Sequence, residues 1–285
     1  MLDLHLHSTY SDGTVSPEGL VAMARARGLS AVALTDHDTA AGIPEFLAAA
    51  GKAPRPRCIP GIELACRWYT ANLHIVGLFI DPTEESLKKL LENIQAARRE
   101  RNRLIMERLA ALGAPVAAET LDAVARGEVT GRPHFAQALI AAGHCRTLQE
   151  AFSRFLARGG PAYVRRALPL PKAAIEAIHA AGGVAVWAHP AATRGPSAAR
   201  MRQVCRRLAA YDLDGIEVCY AQYSPRDTAT VRALAREFHL LPSGGSDFHG
   251  DNSPGVAMGT GRGDLRVPDE WLGPLEERAA AYRAR

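Results

Sequence analysis

Apolar and polar positions alternate from the start of the chain. Leu2, Leu4 and Leu6 interleave with Asp3, His5 and His7, the period-two pattern of a strand with one face for packing and one for chemistry. Ser16-Pro17-Glu18 then opens a helix, with serine as N-cap, proline in the first turn and an acid beside the helix dipole; Gly28 closes it. Ala31 to Thr35 predicts a second strand, Gly42 to Gly51 a short helix, and Arg57 to Leu64 and Leu73 to Ile80 two more strands. The pattern then changes. Leu87, Leu90, Leu91, Ile94, Leu104, Ile105 and Leu109 recur at helical spacing, which predicts one long helix from Glu84 to Leu112 ending at Gly113. From about Arg99 to Arg166 the chain is helical, basic and free of strand signals. After Pro169 the alternation returns: helix Pro171 to Ala181, closed by Gly182-Gly183, strand Val184 to Ala188, helix Met201 to Ala210, strand Gly215 to Tyr220, helix Asp227 to Phe238, and a last strand Leu240 to Gly244.

Such alternation predicts βα units and a sheet covered by helices. No repeat of fixed period appears. Six or seven units with one interruption predict an α/β protein with a barrel related to the TIM fold. The barrel would comprise residues 1–98 and 167–285, and residues 99–166 would be a helical insertion or cap.

Composition narrows the class. The chain has 285 residues, 47% hydrophobic and 22% charged, which excludes disorder; 25 Gly and 18 Pro without a period exclude a collagen-like chain. Five scattered cysteines without a CxxC pair argue against a disulfide framework or zinc ribbon and fit a reducing, cytoplasmic setting. No signal peptide and no membrane span are expected, and no obligate protein partner is inferred. The net charge of +4 permits anionic ligands without demanding a nucleic-acid surface.

Four motif groups stand at the ends of predicted strands, where barrel enzymes place their active sites. They are Asp3-Leu-His5-Leu-His7-Ser8 running on to Asp12-Gly13; Asp36-His37-Asp38; Glu63 with His74; and Ala188-His189-Pro190 with Asp247-Phe-His249. Each has a blander reading: an edge strand with exposed histidines, a helix cap at Asp38, a structural carboxylate at Glu63. Together, six histidines and three carboxylates converge only if the barrel closes. Packing gives no reason to gather so many ionisable groups, whereas divalent metals do. Mixed nitrogen and oxygen donors suit Mn²⁺ best, with Zn²⁺ or Fe²⁺ as alternatives.

As a set, HxH, DHD, a lone Glu, a His, AHP and SDFH resemble the motifs of the polymerase and histidinol phosphatase (PHP) family, in order and across both barrel segments. The resemblance implies a distorted seven-stranded (β/α)7 barrel holding up to three divalent metals. It implies His5, His7, Glu63 and Asp247 as ligands of one metal, Asp12, His37 and His249 of a second, and Glu63, His74 and His189 of a third. Asp12, His37, Glu63, His189 and Asp247 would act catalytically through a metal-bridging hydroxide that attacks phosphorus. His37, His189 and His249 are candidates to protonate the leaving oxygen, although a metal-bound histidine is a poor acid. No lysine stands at any motif, which separates the pattern from amidohydrolases that use a modified lysine.

Within the insertion, Gly131-Arg132-Pro133-His134 resembles the RPH segment of PHP-domain nucleotide phosphatases. It reads either as a phosphate contact through Arg132 and His134 or as a plain helix start. Ser8, Asp12 and His37 are further expected substrate contacts. The run Arg98 to Arg103 reads as a solvated face or, if its helix lines the barrel mouth, as a second phosphate site using Arg99, Asn102 or Arg103. Arg165 and Arg166 carry the same alternatives. Glu217 reads equally as a structural residue or as support for a ligand. His144, His179 and His239 read as surface or helix histidines. The favoured activity is hydrolysis of the 3′-phosphate of a small nucleoside 3′,5′-bisphosphate. The alternatives are a 5′→3′ exoribonuclease on short 5′-phosphorylated RNA, a histidinol phosphatase, or a non-catalytic module.

Overall fold

Leu2, Leu4 and Leu6 are at most 1% exposed, and so are Asp3, His5 and His7 on the opposite face. A strand buried on both faces is what a closed barrel under a helical coat requires. The computed structural model describes residues 1–51, 54–69, 71–125, 129–192 and 197–285. Seven strands, β1 (Leu2–Leu6), β2 (Ala31–Leu34), β3 (Arg57–Trp68), β4 (Ala71–Leu78), β5 (Val184–Trp187), β6 (Gly215–Tyr220) and β7 (Leu241–Gly245), follow one another in sheet order. The chain just after β7 returns to β1: Asp247 N–H donates to His5 O at 3.0 Å and His7 N–H to Phe248 O at 3.0 Å. Gly245 makes this closure sterically possible, since a Cβ there would lie 2.4 Å from His5 Cβ.

The barrel's distortion has a location. β4 runs antiparallel to both β3 and β5, while the other neighbouring pairs are parallel. Only two residues separate β3 from β4. A parallel partner would need a crossover of a dozen residues or more, so the chain can only turn back. The sequence pattern located both strands but predicted neither the hairpin nor the length of β3, whose far end carries exposed positions.

Helices α1 (Pro17–Ala26) and α2 (Ile43–Ala50) follow β1 and β2; α7 (Pro171–Ala180), α8 (Ala198–Ala209) and α9 (Pro225–Glu237) cover the second half. The Ser16 side chain caps α1 by accepting from Gly19 N–H, and Glu84 caps α3 (Glu85–Ala111) by accepting from Leu87 N–H. α3 joins two apolar clusters. Its first turns place Leu87, Leu91 and Ile94 in the barrel core. Its last turns place Ile105 and Leu109 in a separate cluster with Leu121, Phe135, Leu139, Phe155 and Leu156, built around α4 (Ala118–Val124), α5 (Arg132–Ala141) and α6 (Leu148–Ala151). The C-terminal helix α10 (Leu272–Arg283) has no counterpart in the sequence reading. Its apolar side is short, with Leu275 and Ala279 as the buried members, too few for periodicity to reveal. Among the described residues no helix is long and apolar enough to cross a membrane.

Candidate active site

The barrel mouth collects all nine histidines and carboxylates that the motifs singled out. Glu63, fully buried on β3, is the hub. Its Oε1 lies 2.8 Å from His74 Nδ1 and 2.9 Å from His189 Nε2. Its Oε2 lies 2.9 Å from His37 Nδ1 and 3.4 Å from both His5 Nε2 and His7 Nε2. Asp247 Oδ1 stands 3.2 Å from His7 Nε2 and 3.5 Å from His5 Nε2. Asp12 Oδ1 stands 3.2 Å from His249 Nε2. Donor atoms form four compact groups: His7, Asp12, His37 and His249; His5, Glu63 and His189; His5, His7 and Asp247; His37, Glu63 and His74. The grouping differs in detail from the expected ligand sets. His7 also joins the Asp12 group, and His74 and His189, whose rings meet edge to face at 5.2 Å, fall into different groups that share Glu63.

These residues fit cations. Despite these short approaches, His5 Nε2, His7 Nε2, Asp12 Oδ1 and Glu63 Oε2 are buried and make no well-aligned hydrogen bond among the described residues, which is costly unless another ligand engages them. The electrostatics agree. Burial would push Glu63, Asp247 and Asp12 up, yet the surrounding histidines hold all three well below the ordinary carboxylate range. Burial would likewise push His37 down, but Glu63 and Asp12 drive it up to about 10. His249 is raised to about 9 against the same burial, by Asp12 and Asp247. The carboxylates thus demand compensating positive charge.

A surrounding layer fixes these side chains, as metal ligands require. Glu217 on β6 accepts from His5 Nδ1 at 3.1 Å and from His189 N–H at 2.7 Å, so its ambiguity resolves toward orienting two candidate ligands. Tyr220 O–H donates to Asp247 Oδ2 at 2.9 Å. Asp36 accepts from Ser8 Oγ at 2.6 Å and Ser11 Oγ at 2.5 Å, pinning the loop that carries Asp12. Asp3 accepts from Ser246 Oγ at 2.6 Å, next to Asp247. Asp38, His189 and Asp247 all hold left-handed backbone, with φ of 56°, 31° and 54°, strain of a kind that collects at functional sites.

Beside this centre lies a second cavity of about 200 Å³. Asp12, His37 and His74 form one wall, and Arg98, Arg101, Arg132, Arg165 and Arg166 gather around the rest. Asp38 is the buried acid among them. It pairs with Arg98, accepts from Arg166 at 2.8 Å, and accepts from Ala65 N–H at 3.2 Å. Burial opposes its charge, but Arg166 and Arg98 hold it at about 2. The capping role considered for Asp38 does not occur, because α2 starts only at Ile43. Arg101 is 6% exposed; burial and then Arg98, Arg166 and Arg132 push it down to about 9. Arg132 sits over the Tyr163 ring at 5.4 Å. Arg98 Nε and Arg101 Nε have no hydrogen-bond partner. Asp38 and Asp12 against these guanidinium groups leave an excess of positive charge, which an anion would neutralise.

Several expected substrate contacts lie elsewhere. Ser8 is buried, with both its N–H and Oγ committed to Asp36. Arg99 is exposed, and Arg103 pairs with Glu100 at 2.7 Å and with Glu107 on the solvent side. Asn102 donates to Thr130 O at 3.3 Å. The helical period explains the difference: positions 98 and 101 share the face turned to the cavity, while 99 and 103 lie on another. His134 is buried, accepts from Gly131 N–H at 2.9 Å, and borders a neighbouring cavity on the Thr9–Thr14 side. Sequence reasoning placed Arg98 and Arg101 in the charged run but not among its phosphate-contact candidates. Their signal was the helical spacing within a run read only as charge. Away from the site, His179 donates to Asp214 at 2.7 Å.

The sequence profile of the PHP domain matches residues 3–155, and the chain belongs to the PHP family. It is 38% identical over 250 residues to the 5′-3′ exoribonuclease Rnm of Salmonella typhimurium, covering 87% of this chain and 84% of the relative. It is 35% identical over 262 residues to the 3′,5′-nucleoside bisphosphate phosphatase of Chromobacterium violaceum, covering 90% of each. Among solved structures, a candidate metal-dependent phosphoesterase from Bifidobacterium adolescentis superposes with a TM-score of 0.85 at 30% identity, covering 97% of this chain and 96% of that one. The barrel expected from the sequence is the fold found.

Proposed function

We propose that the protein is a metal-dependent phosphoesterase that hydrolyses the P–O3′ ester of a nucleotide carrying a 5′-phosphate. The favoured substrate is a nucleoside 3′,5′-bisphosphate, converted to the 5′-monophosphate and phosphate. The observation that carries this reading is the contact between two oppositely demanding pockets, a cation-demanding centre and an anion-demanding arginine cavity, which share Asp12, His37 and His74. A substrate with two phosphates spaced by one ribose matches that pairing.

In this reading the nine motif residues hold the cations: His5, His7, Asp12, His37, Glu63, His74, His189, Asp247 and His249. Divalent cations bound there supply Lewis acidity toward phosphoryl oxygens and lower the pKa of coordinated water. Glu217 and Tyr220 keep His5 and Asp247 in place. Asp38 aims Arg98 and Arg166, and with Arg101 and Arg132 these receive the 5′-phosphate. The arginines thereby set which phosphate is presented for reaction. Water oxygen ends on phosphorus, and the 3′-oxygen leaves with a proton.

A second reading has a specific observation behind it, the Rnm relative. Cleaving 5′-phosphorylated RNA from its 5′ end breaks the same P–O3′ bond, with the rest of the strand esterified to the reacting phosphoryl. The two readings differ only in whether that phosphoryl is terminal. They separate by kcat/KM for adenosine 3′,5′-bisphosphate against a short 5′-phosphorylated RNA, with Mn²⁺ added. A higher value for the bisphosphate supports the phosphatase, and a higher value for the RNA makes the protein an exonuclease. Inactivity on both, with metal bound, overturns the phosphoesterase reading.

A further inference from the structure

On the other side of His74 the structure carries a groove of about 380 Å³ whose chemistry differs from the arginine cavity. Trp68 from the end of β3, Trp187 from β5, Leu73, Pro190 and Val204 give it apolar walls, and Arg200 of α8 stands at its edge. It is continuous with the catalytic region. Asn72 and His74 line both the groove and the arginine cavity, and His189 lines the groove as well. No carboxylate is among the described residues lining it. Trp68 Nε1 is buried and has no hydrogen-bond partner among the described residues, so this indole donor is free for an acceptor. The Arg200 guanidinium lies 5.9 Å from the centre of the Tyr69 ring, which is 65% exposed beside Trp68.

We infer that this groove is the nucleobase site of the substrate. The inference rests on the proposed phosphoesterase reading, which puts the reacting phosphoryl against His74 and His189. A base is flat and apolar on its faces and rich in acceptors at its edge. Indole walls, an unsatisfied indole N–H and a guanidinium match those three properties, and stacking of this kind tolerates any base. The substrate would then lie across the barrel mouth. Its 5′-phosphate meets the arginine cavity, its 3′-phosphoryl the histidine–carboxylate centre, and its base the indoles at the ends of β3 and β5. Trp68, Trp187 and Arg200 thus become specificity determinants that the motifs did not indicate.

Two measurements on the metal-loaded protein test this. The first is the ratio of kcat/KM for adenosine 3′,5′-bisphosphate to that for the abasic 3′,5′-bisphosphate. A stacked base makes the ratio about ten or more. It falls toward one in Trp68→Leu and by about threefold in Arg200→Ala, an exposed position where folding is not at stake. A ratio near one in the parent protein, or one unmoved in both variants, overturns the inference. The second readout does not depend on turnover. The groove is lined by two of the chain's three tryptophans, so adenosine 5′-monophosphate should quench intrinsic fluorescence where ribose 5-phosphate does not, and Trp68→Leu should remove most of that quenching. Quenching without hydrolysis of either bisphosphate keeps the groove and removes the reaction. Hydrolysis without base preference or quenching keeps the reaction and removes the groove.

Discussion

The barrel centre and the arginine cavity touch, yet they are built on opposite principles. The centre is made at strand ends. It gathers Glu63, Asp247 and Asp12 among histidines, two of which, His5 and His7, keep an unengaged Nε2 among the described residues, and its buried carboxylates call for positive charge. The arginine cavity is made where α3 and the segment around Arg165 and Arg166 meet the barrel mouth. It gathers guanidinium groups around the single buried acid Asp38, and it is complete only when negative charge is supplied. Each pocket is frustrated alone. In the proposed reading a metal satisfies one and a substrate phosphate the other.

Breaking the centre should have the largest effect. Glu63→Gln keeps the volume but removes the charge that faces five histidines. We expect kcat to fall by about a thousandfold or more, as when metal-assisted charge stabilisation is lost. Full activity in this variant would show that Glu63 is structural. Glu217→Gln acts one step out, through His5 and His189, and should weaken metal affinity about 10- to 100-fold, measured by titration against a competing chelator. On the arginine side, Asp38→Asn releases Arg98 and Arg166. We expect KM to rise about tenfold for substrates with a 5′-phosphate and much less for 3′-monophosphates, since the arginines remain but lose their aim.

Two controls lie outside both pockets. Asp214 is buried, so its charge is opposed by desolvation, yet His179, Ala185 N–H and Tyr282 O–H hold it below the ordinary carboxylate range. A carboxyl lowered by folding stabilises while ionised, so its contribution is fully present above about pH 4 and is lost as pH falls through its own lower value. Asp214→Asn should cost about 2 kcal/mol in urea unfolding at pH 7 and correspondingly less in acid, with the ratio of activities on mono- and bisphosphates unchanged. Arg103→Ala should do least. Its partners Glu100 and Glu107 are exposed on one helix face, and solvent screening leaves such pairs little weight. A tenfold rise in its KM would place Arg103, after all, in the substrate's path.

The contrast also explains what the sequence disclosed. The centre was legible because each ligand sits in a short motif at a strand end, and period two alone turns His5 and His7 to one side. Most of the strands were legible for the same reason. The arginine cavity was only half legible. Arg132 stood in a recognisable RPH segment, but Arg98 and Arg101 were hidden in a charged run where one residue of helical phase separates a cavity wall from solvent. Ser8, beside a ligand in sequence, proved committed to Asp36. The antiparallel β4 was invisible to periodicity, which fixes where a strand lies but not its direction. α10 buries too little apolar surface to announce itself.

The central claim is that one substrate spans both pockets, and a cycle of substrate and side-chain truncation tests it most directly. Phosphate release is measured from adenosine 3′,5′-bisphosphate and adenosine 3′-monophosphate, with the parent protein and with Arg132→Ala. The account predicts that deleting the 5′-phosphate lowers kcat/KM of the parent about 100-fold, the order of a buried charge-assisted pair. In Arg132→Ala most of that discrimination should disappear. Equal discrimination in both proteins would mean that the 5′-phosphate binds away from the arginine cavity, and would contradict the account.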